Sequence, residues 1–398
     1  MTTTRRAFMV QSVAGAAALT GTGILTRAFG APMTTPASKP LKILFLGGTG
    51  MLGPHFIELA RPRGHEITLF NRGNRADLFP GLELIEGNRI VDVEPGLAPL
   101  EAQVKKGRRW DVVIDTASVH TWTENSAALL KDHADRILYI SSLSAYADAS
   151  GPEQVEGSPV ATMPDEVADG IDRLPYNMAY YGAVKARSEA AAERHFPGRT
   201  TVLRPGLIVG PRDFTHRFTY WPYRVREGGE VLAPGDPADP IKFIDARDVA
   251  AFMLHVIEAN HTGVYNVNGP VGAEMTIGRL LQTCKDVTGS NATFTWADAE
   301  FLSERGINGW VQMPVWIPPV GEYAGFHATS LRKSAAAGLT TRPLQETVRD
   351  TLAWFDHWRE TDAKARGFVY TPGGRLPGIS PETEAETLQA CHAWLARP

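Results

Sequence analysis

Residues 41–53 read Leu-Lys-Ile-Leu-Phe-Leu-Gly-Gly-Thr-Gly-Met-Leu-Gly. The apolar run Ile43–Leu46 is short enough for a buried parallel strand. It stops at Gly47-Gly48-Thr49-Gly50-Met51-Leu52-Gly53, spaced G-x-x-G-x-x-G. A strand that turns at once into a helix, with its backbone pressed against a ligand, has no room for side chains. The new helix offers free N–H groups and the positive end of its dipole to an anion such as a pyrophosphate. Pro54–Ala60 supplies that helix, with proline in its first turn. The stretch predicts a dinucleotide-binding turn.

Downstream, strand and helix patterns alternate. Ile67–Phe70 reads as a second strand, Leu82–Glu86 a third, Asp111–Asp115 a fourth, Arg136–Ile140 a fifth and Thr201–Arg204 a sixth. Helical stretches lie between, notably Thr123–Ala134. This alternation predicts an α/β fold with a doubly wound parallel sheet. The second strand ends in Asn71-Arg72, where an NAD-binding fold would carry an acidic residue for the ribose 2′-OH. Arg72 suits a 2′-phosphate instead, which favours NADP over NAD. Thr116-Ala117-Ser118 at the end of the fourth strand are small enough for a loop beside the cofactor.

Beyond residue 211 the pattern loosens into a smaller, mainly substrate-binding region, 212–398. Ile241–Ile244 and Val264–Val267 read as strands flanking a helix from Asp245 to about Ala259, and 241–267 is expected to return to the dinucleotide-binding domain. Thr276 is a candidate cap for the next helix. Leu344–Arg359 is an amphipathic helix. Tyr220, Trp221, Tyr223, Trp310 and Trp316 are candidates for stacking on a ring substrate or for the core. Arg212, Arg217 and Arg224 are candidates for an anionic substrate group or for salt bridges.

Two features carry chemistry. Ile140-Ser141-Ser142 places serines at the carboxyl end of a strand, where open α/β sheets keep their sites. Tyr181-Gly182-Ala183-Val184-Lys185 places a tyrosine and a lysine on one helix face. A lysine beside a tyrosine is expected to lower the phenol pKa, so that it transfers a proton near neutral pH. The lysine also suits the nicotinamide ribose, and a serine hydroxyl on the same side polarises the substrate oxygen. Tyr180 reads as a packing residue.

The net charge of −4 implies no general attraction to nucleic acid or to anionic membrane. The two cysteines, Cys284 and Cys391, form no metal or redox motif. Thr4-Arg5-Arg6-Ala7-Phe8-Met9 is similar to a twin-arginine export signal. A mildly apolar stretch follows to Thr26, with small residues at Ala28–Ala31 for cleavage. Residues 1–32 are therefore expected to be a signal peptide and 33–40 a linker. Export would involve the twin-arginine machinery and place the mature protein in the periplasm or outside the cell.

Taken together these motifs resemble the extended short-chain dehydrogenase/reductases, the NAD-dependent epimerase/dehydratase group. Leu69-Phe70-Asn71-Arg72-Gly73 and Trp110–Asp115 are similar to a bacterial branch related to chloroplast stem-loop-binding proteins. The resemblance implies Ser142 as the catalytic Ser/Thr, Tyr181 as acid/base and Lys185 as the ribose-binding lysine. It implies cofactor contacts at Gly47, Thr49, Gly50, Met51, Leu52, Gly53, Asn71, Arg72, Asn88, Thr116, Ala117 and Pro205, besides Tyr181 and Lys185. Asn88 stands where many members have an aspartate on adenine. The residues from Ala149 to Asn177 read as an inserted loop bordering the site. No metal is implied, and a homodimer is common in the family.

The expected activity is therefore an exported NAD(P)-dependent oxidoreductase of epimerase/dehydratase type, acting on a carbohydrate-like hydroxyl or carbonyl. The alternatives are a non-catalytic dinucleotide-binding or RNA-binding protein, and a net NADPH-dependent reductase.

Overall fold

The structure is a computed structural model and describes residues 36–396 except 152, 366, 374 and 375. The expected export signal, and the linker as far as residue 35, lie outside the described residues. The strands in chain order are β1 (Lys42–Leu46), β2 (Glu66–Asn71), β3 (Glu83–Glu86), β4 (Trp110–Asp115), β5 (Ala134–Ile140), β6 (Thr200–Pro205), β7 (Leu207–Val209), β8 (Glu230–Pro234), β9 (Phe243–Asp245), β10 (Gly263–Val267) and β11 (Thr293–Ala297). Seven of them form one parallel sheet in the order β10-β6-β5-β4-β1-β2-β3. The chain winds outward from β1 through β2 to β3, then crosses back to β4 on the other side of β1. That reversal opens a crevice at the carboxyl ends of β1 and β4.

Both faces of the sheet are covered, which is why its strands read as continuous apolar runs. One face packs Ile43, Phe45 and Ile114 under the helices Leu52–Ala60 and Ala246–Glu258. The other packs Leu44, Val113 and Tyr139 under Leu100, Ala127, Leu130 and Phe196. A separate core gathers Phe218, Trp221, Leu232, Leu281, Trp316 and Val348. Leu207 and Val209 already belong to this second core. Two-stranded parallel sheets, β7 with β9 and β8 with β11, lie outside the main sheet. Among the described residues no helix is long and apolar enough to cross a membrane.

Several expectations shift. The strand near residue 241 is Phe243–Asp245, and it pairs with β7 rather than entering the main sheet. Only the following helix and β10 reach the large sheet, with β10 at its edge beside β6. The helix expected to run to Ala134 spans His120–Leu130, because Ala134 starts β5 opposite Trp110. Leu344–Trp358 continues through one wide turn, Arg359–Ala363. Thr276 caps its helix, its Oγ1 accepting from the Arg279 N–H at 3.1 Å. The inserted stretch holds a short helix, Asp165–Asp169, and buries Met163, Ala168 and Ile171 against Ala183 and Val184.

Candidate active site

The glycine turn leads from β1 straight into the helix Leu52–Ala60. A Cβ on Gly53 would collide with the Gly48 carbonyl, so only glycine lets the helix start so close to the turn. No side chain caps this helix, and its first turn carries no acidic residue. Its leading N–H groups therefore stand open to an anion. Gly50, Met51, Leu52 and Gly53 line a cleft of about 370 Å³ at the carboxyl ends of the strands. An uncapped helix start facing a cleft fits the pyrophosphate of a dinucleotide.

Other residues expected to touch the cofactor brace the turn from behind. Asn71 donates from Nδ2 to the Gly47 carbonyl at 2.9 Å and accepts from the Gly73 N–H at 2.9 Å. Its amide thus holds two pieces of backbone in register, rather than projecting toward a ribose as expected. Arg72 is exposed, and no hydrogen bond or ion pair engages it among the described residues. Gly47 and Thr49 sit in the turn, outside the cleft walls. Asn88 accepts from the Ile90 N–H at 3.1 Å, closing its own turn outside the cleft. The neighbouring Arg89 instead forms a two-pronged ion pair with the buried Asp115, at 3.0 and 2.8 Å.

Thr116 lines the cleft, while Ala117 lies just behind it. The Ala117 carbonyl accepts from Lys185 Nζ at 2.8 Å, and the Ile140 carbonyl accepts from the same ammonium at 2.6 Å. Lys185 thereby ties the ends of β4 and β5 together, with its Nζ 4.5 Å from the Tyr139 ring centroid. Two of its three N–H bonds are used, which leaves one to reach a ribose hydroxyl. Burial pushes its pKa down to about 7, against the attraction of Asp115 and Glu189.

Tyr181 opens the helix Tyr181–His195. Gly182 follows because a Cβ there would collide with the Ser144 carbonyl. The start of the helix consequently presses on the tight turn Leu143–Ala145, which Ser142 caps by accepting from the Ser144 N–H at 3.1 Å. Tyr181, Ser142, Lys185, Thr116 and Pro205 share the cleft with the glycine turn.

One electrostatic expectation is overturned. The Tyr181 phenol is held above its ordinary pKa, chiefly by burial, with a Ser142 hydrogen bond and the charge of Arg217 pulling it back down. Lys185 is not the cation that tunes it, because its ammonium is directed at two backbone carbonyls.

Of the three candidate arginines only Arg217 reaches the cleft. Arg224 is spent on Glu384 and on the Gly228 and Glu230 carbonyls. Arg212 lies outside the walls, with its charge felt by Glu58. Tyr220, Trp221 and Trp316 are fully buried in the second core and cannot stack on a substrate. Tyr223 packs on Phe355 and Tyr370. Trp310 lies beneath the Arg217 guanidinium, 5.2 Å from it to the ring centroid. Tyr180 packs against the Met163 cluster.

Sequence reasoning missed two supports. Tyr176, from the inserted stretch, donates to the Ser118 carbonyl at 2.9 Å at the rim of the cleft. Glu189, two turns along from Tyr181, is paired with Arg204 at 2.9 and 2.6 Å and accepts from Ser141. The first leaves no local sequence signal. The second was legible as the eighth residue after Tyr181 on one helix face.

Two further cavities, of about 290 and 500 Å³, lie near Asp245–Asp248 and near the amino end of β1. Neither touches the glycine turn or Tyr181. No group of three or more His, Cys, Asp or Glu side chains among the described residues is placed to hold a metal.

The model of the NAD-dependent epimerase/dehydratase family matches residues 43–268. The chain is 25% identical over 241 residues to mouse "Epimerase family protein SDR39U1", covering 58% of this chain and 75% of that one. It is 31% identical over 187 residues to the 2-alkyl-3-oxoalkanoate reductase of Stenotrophomonas maltophilia, covering 44% of this chain and 52% of the relative. The fold is similar to that of the Bordetella bronchiseptica enzyme WbmG in complex with NAD and UDP, with a TM-score of 0.57 and 21% identity, covering 81% of this chain and 97% of that one.

Proposed function

The chain belongs to the NAD-dependent epimerase/dehydratase family, and from that premise we propose that it interconverts a hydroxyl and a carbonyl of a carbohydrate-like substrate, with Tyr181 moving the proton. Bound NAD(P) supplies the hydride acceptor or donor. The chain's own residues do the rest. The helix start at Leu52 and Gly53 takes the pyrophosphate, and the free N–H of Lys185 takes a ribose hydroxyl.

Proton transfer then falls to Tyr181. Burial keeps its phenol protonated in the free protein, which suits donation to a carbonyl oxygen during reduction. In the reverse direction the phenol oxygen must receive the substrate's hydroxyl proton. The Ser142 hydrogen bond and the Arg217 charge both favour the phenolate that this requires. Ser142 has a single hydroxyl proton: given to the phenolate oxygen it favours the base, and given instead to the substrate oxygen it polarises the carbonyl for reduction.

The observation that carries this reading is Tyr181, Ser142 and Lys185 on one cleft with the glycine turn. The test is Tyr181→Phe. Turnover is expected to vanish while dinucleotide binding persists; unchanged turnover sinks the assignment.

The twin-arginine-like segment supports export of the folded, cofactor-loaded protein. An exported enzyme meets little free dinucleotide. That favours an epimerase or dehydratase, which oxidises and re-reduces its substrate on one retained cofactor. A net NADPH-dependent reductase is the second reading, supported by the exposed Arg72 and by the likeness to a 2-alkyl-3-oxoalkanoate reductase. Mass spectrometry of what the denatured, exported protein releases separates the two. Tightly held dinucleotide supports the first, and reversible binding of added NADPH supports the second.

A further inference from the structure

Asp213, Thr215 and Arg217 line the same cleft as the glycine turn, from the connection between β7 and the helix Tyr220–Arg226. Three charged side chains line the cleft: Lys185, Asp213 and Arg217. Lys185 is committed to the strand ends. Arg217 is held by its Nε, which donates to Thr215 Oγ1 at 3.0 Å. Thr215 in turn donates to Asp213 Oδ1 at 2.5 Å, and its N–H bonds the same oxygen at 2.9 Å. The Arg217 guanidinium carbon lies over the Trp310 ring, 5.2 Å from its centroid. The two terminal nitrogens of Arg217 have no hydrogen bond or ion pair among the described residues.

Asp213 shows the complementary vacancy. The residue is only 1% exposed. Its Oδ2 is buried and has no hydrogen-bond partner among the described residues. A buried polar atom without a partner costs about 1–3 kcal/mol, a cost carried here by a residue that lines the cleft. Burial raises the Asp213 pKa, against the Thr215 hydrogen bonds and the charge of Arg217, which lower it. The geometry thus provides two parallel N–H donors on Arg217 and a carboxyl on Asp213, on the same cleft as the Tyr181 phenol.

We propose that the substrate is a hydroxy or oxo acid whose carboxylate stands a few bonds from the reacting carbon and is clamped two-pronged by Arg217, with Asp213 beside it. This rests on the oxidoreductase reading above and names its substrate class. A carboxylate has two coplanar oxygens that match the guanidinium fork. A phosphate also fits the fork but carries more charge, and among the described residues Arg217 is the one cation on the cleft wall whose terminal nitrogens are unpaired. The clamp also explains why Arg217, not Lys185, is the cation felt by Tyr181. The group that holds the acid end of the substrate stands near the group that moves its proton. A sugar acid and an alkyl hydroxy acid share this chemistry.

The test is calorimetric titration of the cofactor-loaded protein with D-glucuronate, with 3-hydroxybutanoate, with the methyl ester of each, and with inorganic phosphate. At least one acid is expected to bind roughly 10–100-fold tighter than its ester, the size of a charge-assisted contact in a dry site. Which acid does so separates the sugar source from the alkyl source. Arg217→Gln is expected to abolish the preference for acid over ester, and Arg217→Lys to keep part of it, while dinucleotide content stays unchanged in both. Esters that bind as well as the acids, phosphate that binds better than either, no binding of either acid, or an Arg217→Gln protein that keeps the preference would each overturn the proposal. Failure to load dinucleotide at the outset would instead sink the oxidoreductase reading.

Discussion

Gly48, Gly50 and Gly53 of the glycine turn present backbone to the cleft, whereas Asp213, Thr215 and Arg217 present side chains. On the first wall a side chain is excluded by collision at Gly48 and Gly53, and polarity comes from the N–H groups of a helix start. On the second, polarity comes from a guanidinium and a carboxyl held by short contacts to Thr215. A backbone wall suits a ligand whose shape never changes, such as a pyrophosphate. A side-chain wall is free to vary with the substrate. The difference teaches where to look for specificity: under the proposed function the backbone wall would take the cofactor and the side-chain wall the substrate.

Four measurements break or sharpen that contrast, from the largest expected effect to the smallest. Tyr181→Phe removes the group that shares the cleft with both walls, and kcat should fall by about 10²–10⁴-fold. Dinucleotide affinity, measured by fluorescence titration, should hold.

Gly53→Val tests the backbone wall. Its side chain meets the Gly48 carbonyl. Overpacking of roughly 1–3 kcal/mol or more should weaken dinucleotide binding by up to about 100-fold. A wild-type dissociation constant would show that the turn does not hold the pyrophosphate.

Arg72→Glu tests the rim of the same wall. The preference for NADP over NAD should drop roughly tenfold, as one charge-assisted contact with the 2′-phosphate is replaced by repulsion. An unchanged ratio of the two dissociation constants removes Arg72 from cofactor selection.

The fourth measurement reads the fold rather than turnover or binding, through the pH dependence of stability. Lys185 has its folded pKa lowered to about 7 from an ordinary 10.5. Between those values the unfolded chain binds more protons than the folded one, so the dinucleotide-free protein should gain stability as pH rises from about 7 toward 10.5. Lys185→Met should flatten that rise in denaturant melts, without reversing the slope elsewhere.

Much of the fold was legible because its signals are local. Ile43–Leu46, Ile67–Phe70 and Asp111–Asp115 are short apolar runs buried on both faces, and all three became strands of the main sheet. Ile241–Ile244 carried the same signal yet became part of a side sheet, because pairing depends on which partner the chain meets and not on its own composition. Site residues divide in the same way. Tyr181 and Lys185 were found by spacing on one helix. Asn71 and Arg72 are placed on the cofactor by their strand-end position and by the fit of arginine to a 2′-phosphate, and Asn88 by the family resemblance. The structure turns Asn71 and Asn88 toward neighbouring backbone and leaves Arg72 exposed.

By itself the sequence determined the parallel sheet, the glycine turn and the Tyr181–Lys185 pair. Each rests on neighbours a few residues apart, whose geometry the backbone imposes. Tertiary structure alone decided the electrostatics and the side-chain wall. It directed the Lys185 ammonium at backbone carbonyls and left the charge of Arg217 to pull the Tyr181 phenol down, and it buried Asp213 without a partner for Oδ2. Desolvation and charge contact depend on what surrounds a side chain in space, and segments 30 or more residues apart supply those surroundings here.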